Sequence, residues 1–266
     1  MDAALVRAFI AATDERPADA AGVERIRAAL EILGRPDIRY LVATIRGPGA
    51  AVIARYARSI LEVAGAATGG PSDPIGDELL AAAGTEIASA MYSLGASRPE
   101  LGEMSREELS LLLGLAALAA RSRRVALLAD EGPLGAASLV DAVTADVLVL
   151  SGTGPALLDA LRNAPRDRPV VIVDAETDGD AAGREAIAVE RGLSLLRSGR
   201  EFSWAVGGTG LAVTVAGETY AGLAPAPRDE PAEVAAGVTT ALAIALLGVR
   251  MRPDWVERGV SRGAAE

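Results

Sequence analysis

The sequence predicts an α/β fold of three layers, a mostly parallel sheet flanked by helices, with a short antiparallel extension. Three observations carry that expectation. In the middle of the chain short apolar runs alternate with helical patterns: Val125–Ala129, Val147–Ser151 and Val170–Asp174 read as strands, and Ala136–Val143, Pro155–Asn163 and Ala181–Arg191 as helices. That order winds a parallel sheet with helices on both faces. Nearer the start, Arg39–Ile45 (RYLVATI) is an apolar run of the kind found in buried parallel strands, and it leads through Gly47-Pro48-Gly49 into a helical pattern. Half of the residues are apolar but only 3% are aromatic, so Ala, Val, Leu and Ile must fill the core.

Taken in order, Val23–Leu33 places Ile26, Leu30 and Leu33 on one face, and Gly34 stops it. After the first strand, Ala50–Val63 sets Ile53, Tyr56, Ile60 and Val63 on one face and ends at Gly65. Gly69–Gly76 (GGPSDPIG) is a turn-rich connector. Helical patterns follow at Asp77–Tyr92 and Arg106–Ala120, before the alternating segments begin. Phe202–Leu223, punctuated by Gly207-Gly208, Gly210 and Gly217, reads as a short antiparallel meander. Pro231 sits in a first helical turn and opens a long apolar helix, Ala232–Leu247. A short helix at Pro253–Val260 closes the chain. With 266 residues, no internal repeat and no long linker, the expectation is one domain with a helical lead-in over about residues 1–38.

Composition narrows the chemistry. The chain contains no Lys, His, Cys or Gln, so all 26 basic side chains are Arg. Arginine stays protonated and is a poor general base. Without His no side chain has an ordinary pKa near neutrality, and without Cys there is no thiolate nucleophile or Cys-based metal site. Chemistry is left to carboxylates, hydroxyls, Arg and the backbone. A net charge of −10 argues against a nucleic-acid surface, and the basic run Arg121–Arg124 reads as a solvated turn. Met1-Asp2-Ala3 lacks the basic start of a leader, and Leu111–Ala120 is too short to span a bilayer. The expectation is a cytoplasmic protein without a membrane or nucleic-acid partner.

Three places could hold a ligand. The strand–Gly-x-Gly–helix step at Arg46, Gly47, Gly49 and Ala50 can present backbone N–H groups to phosphate, or be simply a tight β-to-α turn. A working P-loop wants a Lys on the phosphates and a Ser or Thr on Mg²⁺; here Thr44-Ile45-Arg46-Gly47-Pro48-Gly49-Ala50 has neither, and Pro48 removes a donor. Asp174-Ala175-Glu176-Thr177-Asp178-Gly179-Asp180 with Glu185 nearly fits a calcium loop, but equally describes a solvated acidic loop before a helix. Asp130-Glu131 lies at a strand's carboxyl end, where open α/β sheets place ligands, and also reads as surface charge.

The N-terminal third resembles the folylpolyglutamate synthase/dihydrofolate synthase group of the Mur ligase superfamily. That group has a helix ending near LG-(N)P, a strand, GTNGKGS, and a helix ending in AG. This chain has Arg25-Ile26-Arg27 through Leu33-Gly34-Arg35-Pro36, the strand, TIRGPGA, and a helix ending Ala64-Gly65. The resemblance puts the P-loop Lys at Pro48 and the Mg²⁺-binding Ser at Ala50. It continues over Leu127–Ser138, which looks similar to E-x-G-x-G-G-R-x-D-A-x-N, with the metal-linked Glu at Leu127, the Asp at Gly135 and the Asn at Ser138. A strand ending in Gly-x-Asp-His looks like Val147–Leu157 without the His. The nucleotide-facing G-R-H-Q-x-x-N looks similar to Arg228-Asp229-Glu230-Pro231-Ala232-Glu233, where only the Arg survives. The family's carbamylated Lys has no counterpart.

The resemblance implies the central ATPase-type domain of a Mur ligase, with the C-terminal ligase domain expected to be absent. ATP and Mg²⁺ enter through the resemblance only, and the replaced positions imply a degenerate, non-catalytic member that acts by binding a protein partner or another copy of itself. No catalytic or metal-binding residue is assigned; the cofactor-binding set is Arg46, Gly47, Gly49 and Ala50, a degenerate P-loop. The alternative is a divergent ATP-dependent acid–amino-acid ligase or nucleotide binder using Arg and carboxylates in new positions.

Overall fold

A computed structural model describes residues 20–33, 41–69, 77–105, 108–109, 112, 125–134, 145–174 and 180–266. Six parallel strands form the main sheet: β1 (Leu41–Arg46), β2 (Thr68–Gly69), β3 (Val125–Asp130), β4 (Val147–Leu150), β5 (Pro169–Ile172) and β6 (Ser194–Arg197), in the order β2-β3-β1-β4-β5-β6. β1 is central and almost wholly buried, as its apolar run requires. It pairs Leu41–Arg46 with Val125–Asp130 on one side, and Ala43–Arg46 with Val147–Leu150 on the other.

One face of the sheet packs on α2 (Ala50–Val63) and α6 (Pro231–Leu246); Ala43, Ile45, Val147 and Val149 meet Ile53, Tyr56, Val234 and Val238 in the largest core. The opposite face sends Leu148, Leu150, Val170 and Ile172 onto α4 (Pro155–Asn163) and α5 (Ala181–Arg191). Period-two alternation along β4 and β5 supplies both faces at once. A smaller cluster joins α1 (Ala20–Leu33) to α3 (Asp77–Ser97) through Ala28, Ala29, Ala83 and Ile87. Arg25 ties this cluster to Glu108 with a two-point ion pair, and Ser105 and Glu108 exchange side-chain and backbone bonds as a capping box.

β7 (Phe202–Gly207), β8 (Gly210–Val215) and β9 (Glu218–Leu223) make a separate antiparallel sheet, which adds Phe202, Leu211 and Val213 to the largest core. Positive φ at both Ala216 (50°) and Gly217 (87°) makes the β8–β9 loop a two-residue turn that matches strand twist.

The helices predicted at Ala50–Val63, Pro155–Asn163 and Ala181–Arg191 stand at those bounds. Several elements differ from expectation: the first helix begins at Ala20 rather than Val23, and neither the two-residue strand β2 nor the single helical turn at Pro99–Leu101 is among the expected elements. β6 is an edge strand of four residues, too short to show a period. α3 runs to Ser97 rather than Tyr92. The last helix, α7 (Pro253–Ala265), runs past Val260; its glycines are points of contact with α2. A Cβ on Gly263 would stand 2.9 Å from the Tyr56 ring, and one on Gly259 would overlap the Ile60 backbone. The expected helix at Ala136–Val143, most of that at Arg106–Ala120, the Arg121–Arg124 run and nearly all of the Gly69–Gly76 connector lie outside the described residues. No helix among the described residues is long and apolar enough to cross a membrane.

Candidate functional site

The chain leaves β1 toward β2 and β3, then crosses back to β4, so the carboxyl ends of β1 and β4 flank the point where the strand order reverses. Ligands of open α/β sheets bind in that crevice. The turn after β1 sits there with φ of 99° at Gly47 and 77° at Gly49. Both values favour glycine, and both positions are also places of close approach. The Gly47 N–H donates to the Asp130 carbonyl (2.9 Å), and the Ser151 N–H donates to the Arg46 carbonyl (2.8 Å). A Cβ on Gly47 would overlap the Ser151 carbonyl oxygen, and a Cβ on Gly49 would overlap the Glu233 carboxylate. Ala50 is fully buried and its N–H donates to the Gly47 carbonyl (3.2 Å). The turn is thus a joint at which β1, β4 and the first turn of α6 meet.

The charges around the joint are mostly negative. Arg46 Nη1 donates to Asp130 Oδ2 (2.8 Å), while Asp130 Oδ1 accepts from the Gly132 N–H (2.9 Å). Asp174 Oδ2 accepts from the Ser151 hydroxyl (3.1 Å) and the Gly152 N–H (2.6 Å), tying the end of β4 to the segment after β5. Glu233 is half-buried against Gly49. Burial pushes its carboxyl up, its backbone contact with Glu230 pulls it down, and repulsion from Glu230, Asp229 and Glu131 adds to the rise.

Beside the crevice lies a buried polar network. The Tyr56 hydroxyl donates to Asp229 Oδ2 (2.5 Å) and accepts from the Ala226 N–H (3.0 Å). Arg55 pairs with the same Asp229 oxygen, and its guanidinium carbon stands 5.0 Å from the Tyr56 ring centroid. Burial opposes ionisation of Asp229, but the Tyr56 hydroxyl and the Arg55 guanidinium outweigh it and hold the carboxyl below its ordinary value. This network fastens the loop before α6 to α2, which fixes where Glu233 stands.

The structure brings Arg46, Gly47, Gly49 and Ala50 together at the crevice. Leu127, given the place of a metal-linked Glu, lies in mid-strand within the core, too far along β3 to face the crevice; the carboxylate at the end of that strand is Asp130. Arg228 is exposed, with Nε 3.9 Å from Asp229 Oδ1. Gly135, Ser138 and residues 175–179 of the calcium-like loop lie outside the described residues. The described acids of that loop hold other partners: Asp180 caps α5 by accepting from the Gly183 N–H, and Glu185 pairs with Arg197 and Arg200. Among the described residues no group of three or more acids could hold a metal ion. Sequence reasoning missed the Tyr56–Asp229 network and the seating of Glu233 on Gly49. Its one available signal was an acid in the Pro-led first turn of α6, which also has the ordinary explanation that acids favour helix N-termini.

Whole-chain structural comparison gives the fold its name. The Lactobacillus casei folylpolyglutamate synthetase superposes with a TM-score of 0.72 at 19% identity, covering 99% of this chain and 72% of that one. The chain has the folylpolyglutamate synthase fold. The Escherichia coli FolC protein in complex with DHPP and ADP superposes on 99% of this chain and 66% of its own length, with a TM-score of 0.70 and 19% identity. The Mycobacterium tuberculosis folylpolyglutamate synthase complexed with ADP gives 0.71 at 18% identity, over 98% of this chain and 65% of that one. No protein-family profile and no curated protein sequence matches. The synthase fold therefore stands on structure, at identities where sequence similarity says nothing about activity.

Proposed function

We propose that this chain is a non-catalytic protein on the folylpolyglutamate synthase fold that acts in the cytoplasm by binding a protein partner or a second copy of itself. One observation carries the reading: the carboxylate of Glu233 lies on Gly49, in the turn where the fold would present backbone to phosphate. An anion at that position repels a second anion, and the remaining equipment does not offset it. Pro48 has no N–H to donate, Ala50 has no hydroxyl for Mg²⁺, and the one cation of the turn, Arg46, is bonded to Asp130. Transfer of a phosphoryl group needs cationic stabilisation of its oxygens, and the chain contains no Lys to supply a point charge. The residues present therefore do not fit a triphosphate with Mg²⁺.

The test is binding followed by turnover. ATP, ADP and GTP, each with and without Mg²⁺, should leave the melting temperature unchanged, because a ligand that binds only the native state must raise it. Release of ADP that depends on an added acid and glutamate would establish the second reading, a divergent ATP-dependent acid–amino-acid ligase. That reading is favoured by one feature, the pairing of Arg46 with Asp130 at the carboxyl end of β3, which leaves a cation and a carboxylate side by side at the crevice.

A further inference from the structure

At the opposite end of α6 from the crevice, the helix, the β8–β9 hairpin and the loop into α7 line a half-open cavity of about 350 Å³, a volume within the range of small-molecule sites. Its walls are apolar, built by Val215, Leu242, Ala243, Leu246 and Met251 among others. Leu246 is 87% exposed, so a large apolar side chain on the wall is left in water. Three polar side chains also line the cavity: Glu218, Tyr220 and Arg252.

These three are not equivalent. Tyr220 is buried, and burial together with a hydrogen bond to Glu218 pushes its hydroxyl up to about 12. It stays protonated, and Glu218 already has a donor. Arg252 has no carboxylate within ion-pair range among the described residues. Its guanidinium is instead held over the Trp255 ring, 5.5 Å from the centroid, an arrangement that orients a cation without neutralising it.

We propose that this cavity binds an amphipathic monocarboxylate, with its apolar body against Leu242, Leu246 and Met251 and its carboxylate on Arg252. Apolar walls call for an apolar body, and the cation without a carboxylate partner selects the sign of the head group. This inference does not depend on the crevice.

The experiment titrates the full chain with decanoate below its micelle concentration, with decanol and decylamine as controls, following the melting temperature and tryptophan fluorescence. Decanoate should raise the melting temperature saturably and change the fluorescence through Trp255, and it should bind roughly tenfold more tightly than either control. Arg252→Gln should weaken decanoate by roughly tenfold and leave decanol unchanged. Arg252 is exposed, so this variant should keep the wild-type melting temperature without ligand. Trp255→Phe should remove the fluorescence change and keep the thermal shift. Absence of a saturable effect, equal affinity for the amine, insensitivity to Arg252→Gln, or a concentration-dependent dimer that abolishes decanoate binding would each overturn the proposal.

Discussion

Glu233 is the residue on which the functional reading turns. Its carboxylate stands where the turn after β1 could otherwise receive an anion, and its surroundings push its proton affinity up. The consequence for stability has a definite sign. Because the folded-state pKa is above the unfolded one, the protonated form favours folding, and that advantage is lost as pH rises through the folded value. Glu233→Gln should therefore raise the melting temperature at neutral pH by on the order of 2 °C, with the gain shrinking toward pH about 4; melting curves across that range check it. Tyr56→Phe tests the neighbouring network. It removes a donor from buried Asp229 and an acceptor from the Ala226 N–H. The expected cost is about 2 kcal/mol, or ~4–8 °C in melting temperature. Asp229 has the opposite linkage to Glu233. Its pKa is held down in the fold, so its contribution is present above the unfolded value and is lost as pH falls through the folded one.

At the scale of elements, α2 is gripped from two sides by helices that carry glycine at the points of contact. A Cβ on Gly237 of α6 would stand 2.8 Å from Tyr56 Cβ, and one on Gly259 of α7 would overlap the Ile60 backbone. Gly259→Ala should cost about 1–3 kcal/mol despite the better helix propensity of Ala, measured by denaturant unfolding. In sequence an interior glycine weakens a helix, and only the packing shows what the glycines of α7 allow. Most other elements were legible because their burial imposes a period. Ala50–Val63 buries one stripe at helical spacing, and β1 is buried along nearly its whole length. β6 was not legible because four residues at a sheet edge carry too little pattern. The crevice was legible as a Gly-x-Gly turn between strand and helix. Its filling was not, because Tyr56 and Asp229 meet across 173 residues of sequence, and Glu233 reaches Gly49 from a helix similarly distant in the chain.

At the scale of the molecule, the folylpolyglutamate synthase fold carries here a crevice whose described charges are mostly acidic. Asp130, Asp174 and Glu233 gather at the carboxyl ends of the strands, and Arg46 is committed to the first of them. The core, not the crevice, holds the layers together, so the fold alone does not dictate what the crevice carries. The most direct measurement is a calorimetric titration of Mg²⁺–ATP into the full chain at neutral pH. The account predicts no saturable heat up to millimolar nucleotide. A saturable isotherm of one nucleotide per chain, weakened by Arg46→Ala, would contradict it.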